Sequence, residues 1–167
     1  MEPIVSIIMG STSDLPVMEK AAAFLNDMKI PFEMNALSAH RTPSEVESFA
    51  RNAASRGIKV IIAAAGMAAA LPGVIAANTT LPVIGIPIKG GALDGLDALL
   101  ATVMMPSGIP VATVALNGAK NAAVLAAQIL AVEDERLALL LDEKRREMAR
   151  QIEEKNEALQ KELAGQG

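Results

Sequence analysis

Proton transfer near neutral pH needs a side chain that titrates there, and this chain has one imidazole, His40. It has no cysteine, which excludes thiol nucleophiles, disulfides and thiolate metal sites. A single histidine also excludes a multi-histidine zinc site. His40 stands within Ser38-Ala39-His40-Arg41-Thr42-Pro43. An imidazole there can take and return a proton, and the neighbouring guanidinium can grip a phosphate or carboxylate in a fork. The plainer alternative is a surface histidine beside a surface arginine. A second cluster is Gly10-Ser11-Thr12-Ser13-Asp14. Its hydroxyls and backbone amides suit a phosphate, and Asp14 either caps a helix or accepts hydrogen bonds from sugar hydroxyls. Spacing alone favours the cap. A third stretch, Ala65-Gly66-Met67-Ala68-Ala69-Ala70-Leu71-Pro72-Gly73, has almost no polar side chain. It acts on a ligand through backbone and shape, with Gly66 admitting a ring or carboxylate closely, or it is a core loop packed under a neighbour. The Gly-x-x-x-x-Gly-Lys loop of nucleoside triphosphatases and the Gly-x-Gly-x-x-Gly dinucleotide fingerprint are both missing.

The elements that must carry these clusters read clearly. Short apolar runs rich in β-branched residues predict strands at Ile4–Met9, Phe32–Leu37, Lys59–Ala64, Leu81–Ile86 and Ile109–Val114. Helical spacing predicts helices over Leu15–Met28, from Thr42 to about Arg56, from Gly73 to Asn78, and over Gly95–Met104, Ala119–Ala131 and Glu133–Leu163. Thr42-Pro43-Ser44-Glu45 reads as a capping box with proline at the first helical position, and Gly57 as the helix stop. Alternating strands and helices with apolar strands predict an α/β fold: a parallel sheet in three layers, with helices on both faces. Ligands of such sheets bind outside the carboxyl ends of the strands. The loops expected there are Gly10–Asp14, Ser38–Thr42, Ala64–Leu71 and Pro87–Gly91, which gather His40 and most of the small polar clusters at one rim.

At 167 residues the chain is expected to be one domain, 1–167, with 133–167 a charged C-terminal helical extension. That extension holds 10 acidic and 7 basic residues, half of the charges in the chain. Residues 60–88 and 98–119 carry none. Prolines and glycines interrupt both stretches, which argues for buried strands rather than a membrane span. No signal peptide is seen at Met1–Ile8, so a cytoplasmic protein is expected. The net charge of −4 and an aromatic content of 2% argue against nucleic-acid partners. A body so poor in charge is expected to bury apolar surface against further copies of itself. Leu137, Leu140, Leu141, Met148 and Ile152 of the last helix are candidates for the same role.

Taken in order, these motifs resemble the N5-carboxyaminoimidazole ribonucleotide mutase family of purine biosynthesis. The carrying segments are Ile8-Met9-Gly10-Ser11 with Ser13-Asp14, Ser38 to Pro43, Ala65-Gly66 with Ala68-Ala69 and Leu71-Pro72-Gly73, Gly95-Leu96-Asp97, Met105-Pro106 with Gly108-Ile109-Pro110-Val111, Asn121-Ala122-Ala123 and Ala126-Ala127-Gln128-Ile129-Leu130. The resemblance implies a flavodoxin-like or Rossmann-like domain, a homo-octamer, a ribonucleotide substrate, and no metal or organic cofactor. It implies that Ser11, Ser13, Ser38 and Arg41 hold the 5′-phosphate, Asp14 holds the ribose, and His40 is the general acid and base. Gly66, Met67 and Leu71 would enclose the aminoimidazole and the migrating carboxyl. The chain departs from the pattern at Met67, where a second glycine is usual, and at Ala70, where a histidine is usual. Ala98 and Ala101 replace serines and Met104 replaces a glutamine. Ala70 implies reduced activity. Two alternatives follow from these departures and from related families: an inactive or weakened octameric scaffold with rebuilt contacts, and a carboxylase using free carbon dioxide.

Overall fold

The computed structural model describes residues 1–165. Contacts divide the chain into two units, Met1–Ile129 and Leu130–Gly167. The first is built on five parallel strands: β1 (Val5–Met9), β2 (Phe32–Ala36), β3 (Val60–Gly66), β4 (Val83–Ile88) and β5 (Ala112–Thr113). Their order across the sheet is β2-β1-β3-β4-β5. Helices α1 (Leu15–Asp27), α2 (Pro43–Asn52), α3 (Leu71–Ala77), α4 (Leu96–Val103) and α5 (Ala119–Ala131) connect or follow the strands. The parallel α/β sheet is the one expected from the alternating pattern, and the arrangement is the flavodoxin-like one that the resemblance implies.

The central strands are buried on both faces, which is why they read as continuous apolar runs rather than alternating ones. Ile7, Ile8, Ile61, Ile62, Ile84 and Ile86 are fully buried. Removing each such side chain from water stabilises the fold by roughly 1.5–3 kcal/mol. On the α1 side, Met18, Ala21, Phe24 and Leu25 face inward at helical spacing.

Register decides where the loops emerge. Met9, the last residue of β1, lies opposite Ala36 at the end of β2 and opposite Ala64 near the end of β3. Two further hydrogen bonds extend the ladders just past the strands. Leu37 N–H donates to Met9 O at 2.9 Å, and Gly10 N–H donates to Ala64 O at 3.2 Å. Three loops therefore leave the sheet side by side. The chain adds β2 on one side of β1 and β3 to β5 on the other, and that switch point between β1 and β3 opens a crevice at their carboxyl ends.

Two expectations need correction. The fifth strand is shorter than Ile109–Val114: only Ala112 and Thr113 pair, with Ile84 and Gly85. It lies at the sheet edge and follows Pro110, which has no N–H for a ladder. The capping box at Thr42 is not formed either. Thr42 caps α2 by position but makes no side-chain bond to the helix, because its hydroxyl is turned back onto Ser38.

The second unit contains α6 (Glu135–Ala164). Asp134 caps it by accepting from Leu137 N–H at 3.1 Å. Met148, Ile152, Leu159 and Leu163 are exposed along it. No helix of the described residues is long and apolar enough to cross a membrane.

Candidate active site

The crevice at the ends of β1, β2 and β3 is a cleft of about 580 Å³. Ser11, Ser13, Asp14, Ser38, His40 and Arg41 border it on one side, and Ala65 to Leu71 on the other. Each residue put forward from the sequence for this site thus lies around one cavity, Gly66, Met67 and Leu71 included. The fourth expected loop, Pro87–Gly91, does not border the cleft.

Local bonds shape the first wall. Ser11 caps a single 3-10 turn, Thr12–Asp14, that leads directly into α1. Its Oγ accepts from Ser13 N–H at 3.2 Å and from Ser13 Oγ at 2.9 Å. The two hydroxyls are thereby held as neighbours at the positive end of a 13-residue helix, where an anion is favoured. Asp14 is the residue before α1, yet it makes no side-chain capping bond. The capping alternative is therefore not realised, and its carboxylate is left to the cleft. Partial burial pushes the Asp14 carboxyl above its ordinary value of 3.8.

The second loop is held at its two ends. Ser38 N–H donates to Thr42 Oγ1 at 2.9 Å, and Thr42 Oγ1 donates to Ser38 O at 3.1 Å. Thr42 N–H donates to the same carbonyl at 2.8 Å, and Arg41 N–H donates to Ser38 Oγ at 3.1 Å. These bonds fix the backbone while His40 stays exposed between them. The Arg41 side chain then crosses to the first loop. Its Nη2 donates to Gly10 O at 3.3 Å and its Nε donates to Ser38 Oγ at 3.4 Å. Both bonds are long, and a guanidinium has five donors, so most of its capacity is left over at the border of the cleft. Thr42 is a positioning residue that sequence reasoning assigned to the helix instead. The available signal was a hydroxyl pair, Ser38 and Thr42, flanking a three-residue turn.

The other wall is apolar backbone and methyl groups. A side chain at Gly66 would meet only Ile88, at 3.6 Å from its O and 3.7 Å from its Cβ, which is ordinary contact. Packing does not require glycine there, and Gly66 borders the cleft. Ala70 borders the cleft at the start of α3 and offers no polar atom in its side chain. Of the other departures, Ala98 is fully buried on the inner face of α4, while Ala101 and Met104 are exposed away from the cleft.

The chain has known relatives. A family model described as AIR carboxylase matches residues 4–151. N5-carboxyaminoimidazole ribonucleotide mutase of Pyrococcus horikoshii is 54% identical over 159 residues, covering 95% of this chain and 90% of the relative. The protein of the same name from Bacillus subtilis is 52% identical over 161 residues, covering 95% and 99%. Phosphoribosylaminoimidazole carboxylase of Schizosaccharomyces pombe is 51% identical over 95% of this chain, which accounts for 29% of that longer protein. The crystal structure of Treponema denticola PurE superposes with a TM-score of 0.86 at 32% identity, covering 94% of this chain and 98% of that one. From a family model matched over most of its length, and relatives more than half identical across nearly all of it, the chain belongs to the AIR carboxylase family.

Proposed function

We propose that this chain is a mutase that interconverts N5-carboxyaminoimidazole ribonucleotide and 4-carboxy-5-aminoimidazole ribonucleotide in purine biosynthesis. The observation that carries the reading is the cleft itself: the chain's one imidazole, a guanidinium, a serine pair at a helix start and a carboxylate without a capping bond border one cavity with the apolar stretch Ala65 to Leu71. The mutases of Pyrococcus horikoshii and Bacillus subtilis align over nine tenths or more of both chains, which favours this reading over the carboxylase one.

In the proposed complex, the 5′-phosphate sits against Ser11, Ser13, Ser38 and Arg41, and Asp14 accepts from the ribose hydroxyls. The aminoimidazole lies against Gly66, Met67 and Leu71. The bond between N5 and the carboxyl carbon breaks, its electron pair stays on nitrogen, and His40 supplies the proton that nitrogen takes up. Carbon dioxide is then attacked by C4, and His40 removes the proton that C4 gives up. Binding of phosphate and ribose, remote from the reacting atoms, holds the ring in place between the two steps. Ala70 gives the wall no second proton-handling group, so turnover slower than in a chain with histidine there is expected.

We place the protein in the cytoplasm as a homo-octamer. The exposed apolar run Leu93, Leu96, Leu100, Val103 and Met104 supports self-association, because so continuous a patch on one helix and its flanks is unusual for a monomer. The apolar positions of α6 would add to it.

The test is a spectrophotometric assay of the carboxylated imidazole with each substrate. Turnover of the N-carboxy compound without added bicarbonate supports the mutase. A requirement for bicarbonate supports the carboxylase, and silence from a well-folded assembly supports the scaffold. Within the same assay, Arg41→Lys should raise KM about 10–100-fold with little change in kcat, because an ammonium cannot reproduce a guanidinium fork on phosphate. An unchanged KM would remove Arg41 from the phosphate site.

A further inference from the structure

The polar groups of the cleft are divided unevenly between its two sides. Ser11, Ser13, Asp14, Ser38, His40 and Arg41 all belong to one, and no lysine among the described residues borders the cavity. The other side, Ala65 to Leu71, has no hydroxyl, amide or charged side chain. Two of its backbone carbonyls already have donors: Gly66 O accepts from Ala69 N–H at 2.9 Å and Ala70 O accepts from Val74 N–H at 3.0 Å. Bulk is scarce there as well. Four alanines and a glycine fill five of the seven positions. Met67, the longest side chain of the stretch, is 64% exposed, and its unbranched thioether can move aside.

These two sides read a nucleotide differently. One guanidinium fork and a serine pair match one phosphate, and one carboxylate matches the two hydroxyls of a ribose. A ring laid on the other side meets methyl groups and backbone alone. The difference has a magnitude. A site built to hydrogen-bond a group rejects an analogue lacking it by about 10⁴–10⁵-fold, whereas an apolar pocket separates ligands by only about 10–200-fold. Size does not exclude a second fused ring either. The cleft, at about 580 Å³, lies within the range of roughly 300–1,000 Å³ that takes whole small-molecule ligands. His40 is exposed and takes no part in the bonds that hold its loop, so it forms no fixed barrier to a larger ring.

We propose that the cleft also receives purine ribonucleoside 5′-monophosphates, which compete with the substrate and so let finished purine nucleotides restrain this step. The inference rests on the mutase reading and deepens it by adding regulation at the same site. The phosphate and ribose are held as the substrate's are, by Ser11, Ser13, Ser38, Arg41 and Asp14. The base is accepted because nothing on Ala65 to Leu71 is built to refuse it. Purines are favoured over pyrimidines, since a bicyclic ring lays more apolar surface on that side. A second or third phosphate finds no further cation at the border, so the monophosphate is the form bound.

The experiment titrates adenosine 5′-monophosphate into the unsubstituted protein, once by calorimetry without substrate and once in the mutase assay. Binding and competitive inhibition are expected, with a Ki within about 100-fold of the substrate's KM. Adenosine, which lacks the phosphate, and 2′-deoxyadenosine 5′-monophosphate, which lacks one hydroxyl for Asp14, should each bind about 10–100-fold more weakly. Ribose 5-phosphate, with no ring to lay on the apolar side, and cytidine 5′-monophosphate, with a smaller one, should be weaker too. Because the ligand is varied and not the protein, a folding defect cannot imitate these results. A protein that turns over its substrate while adenosine 5′-monophosphate shows a Ki more than about 1,000 times KM overturns the proposal alone. So does inhibition that is not competitive, or ribose 5-phosphate binding as tightly as the nucleotide. If the protein consumes no substrate above the uncatalysed rate, the mutase reading falls and the regulatory role falls with it, while the calorimetry still decides whether the cleft takes the nucleotide.

Discussion

His40→Asn should abolish turnover, by about 10³-fold or more, and leave folding and assembly unchanged. Asparagine keeps a planar, hydrogen-bonding side chain but has no group that titrates near neutrality. Positioned general acid–base catalysis is worth about 10²–10⁴-fold, and here one imidazole serves two proton transfers. No other histidine and no cysteine exists in the chain to substitute for it. The stability side of the expectation comes from the loop. His40 is exposed, and the bonds that hold its backbone run between Ser38, Arg41 and Thr42 without its side chain. Thermal unfolding and light scattering should therefore match the unsubstituted protein. A fully active His40→Asn enzyme would remove the imidazole from the mechanism and leave the cleft as a binding site only.

Much of this arrangement was legible from residue types because the sheet is buried on both faces. A strand such as Val60 to Ala64 has no polar alternative to hide, so its apolar run marks both its position and its layer. Once the strands are placed, parallel pairing sends every loop after a strand to the same edge, and His40 had to arrive there. The edges of the sheet were less legible. The fifth strand looked as long as the others because Ile109 and Val111 pack on the core without pairing in a ladder. The side-chain choices of Thr42 and Asp14 were also hidden. Both stand where a cap is expected, and only the geometry reveals that one turns back to Ser38 and the other toward the cleft. The left-handed backbone at Met67 (φ 50°) and Ala69 (φ 36°) had no glycine or asparagine of this chain to announce it, and only the glycine usual at position 67 in the resembling family pointed to it.

Asp14→Asn should separate binding from stability in opposite directions. The carboxylate makes no capping bond in the empty protein, and its burial raises its proton affinity. A carboxyl whose folded pKa lies above its unfolded one stabilises the fold below the unfolded value. That contribution is lost as pH rises through the folded value. At neutral pH the ionised Asp14 is thus a mild burden on the empty fold, and asparagine relieves it. The thermal midpoint of the Asp14→Asn protein at pH 7 should equal or exceed that of the unsubstituted protein. Its advantage should shrink as pH falls through the raised folded value and vanish well below the ordinary carboxyl value of 3.8, where the Asp14 carboxyl is neutral in both states. Function should move the other way. Ribose hydroxyls donating to a charged acceptor are worth about 1.5–3 kcal/mol, so kcat/KM should fall roughly 10–100-fold. The rise in thermal midpoint produced by ribonucleotide should shrink accordingly. A merely structural Asp14 would lose stability and activity together, and a variant that unfolds earlier while its KM stays unchanged would refute the ribose assignment. The two shifts in opposite directions are expected only if the carboxylate, which makes no capping bond, is kept at the border of the cleft for a ligand.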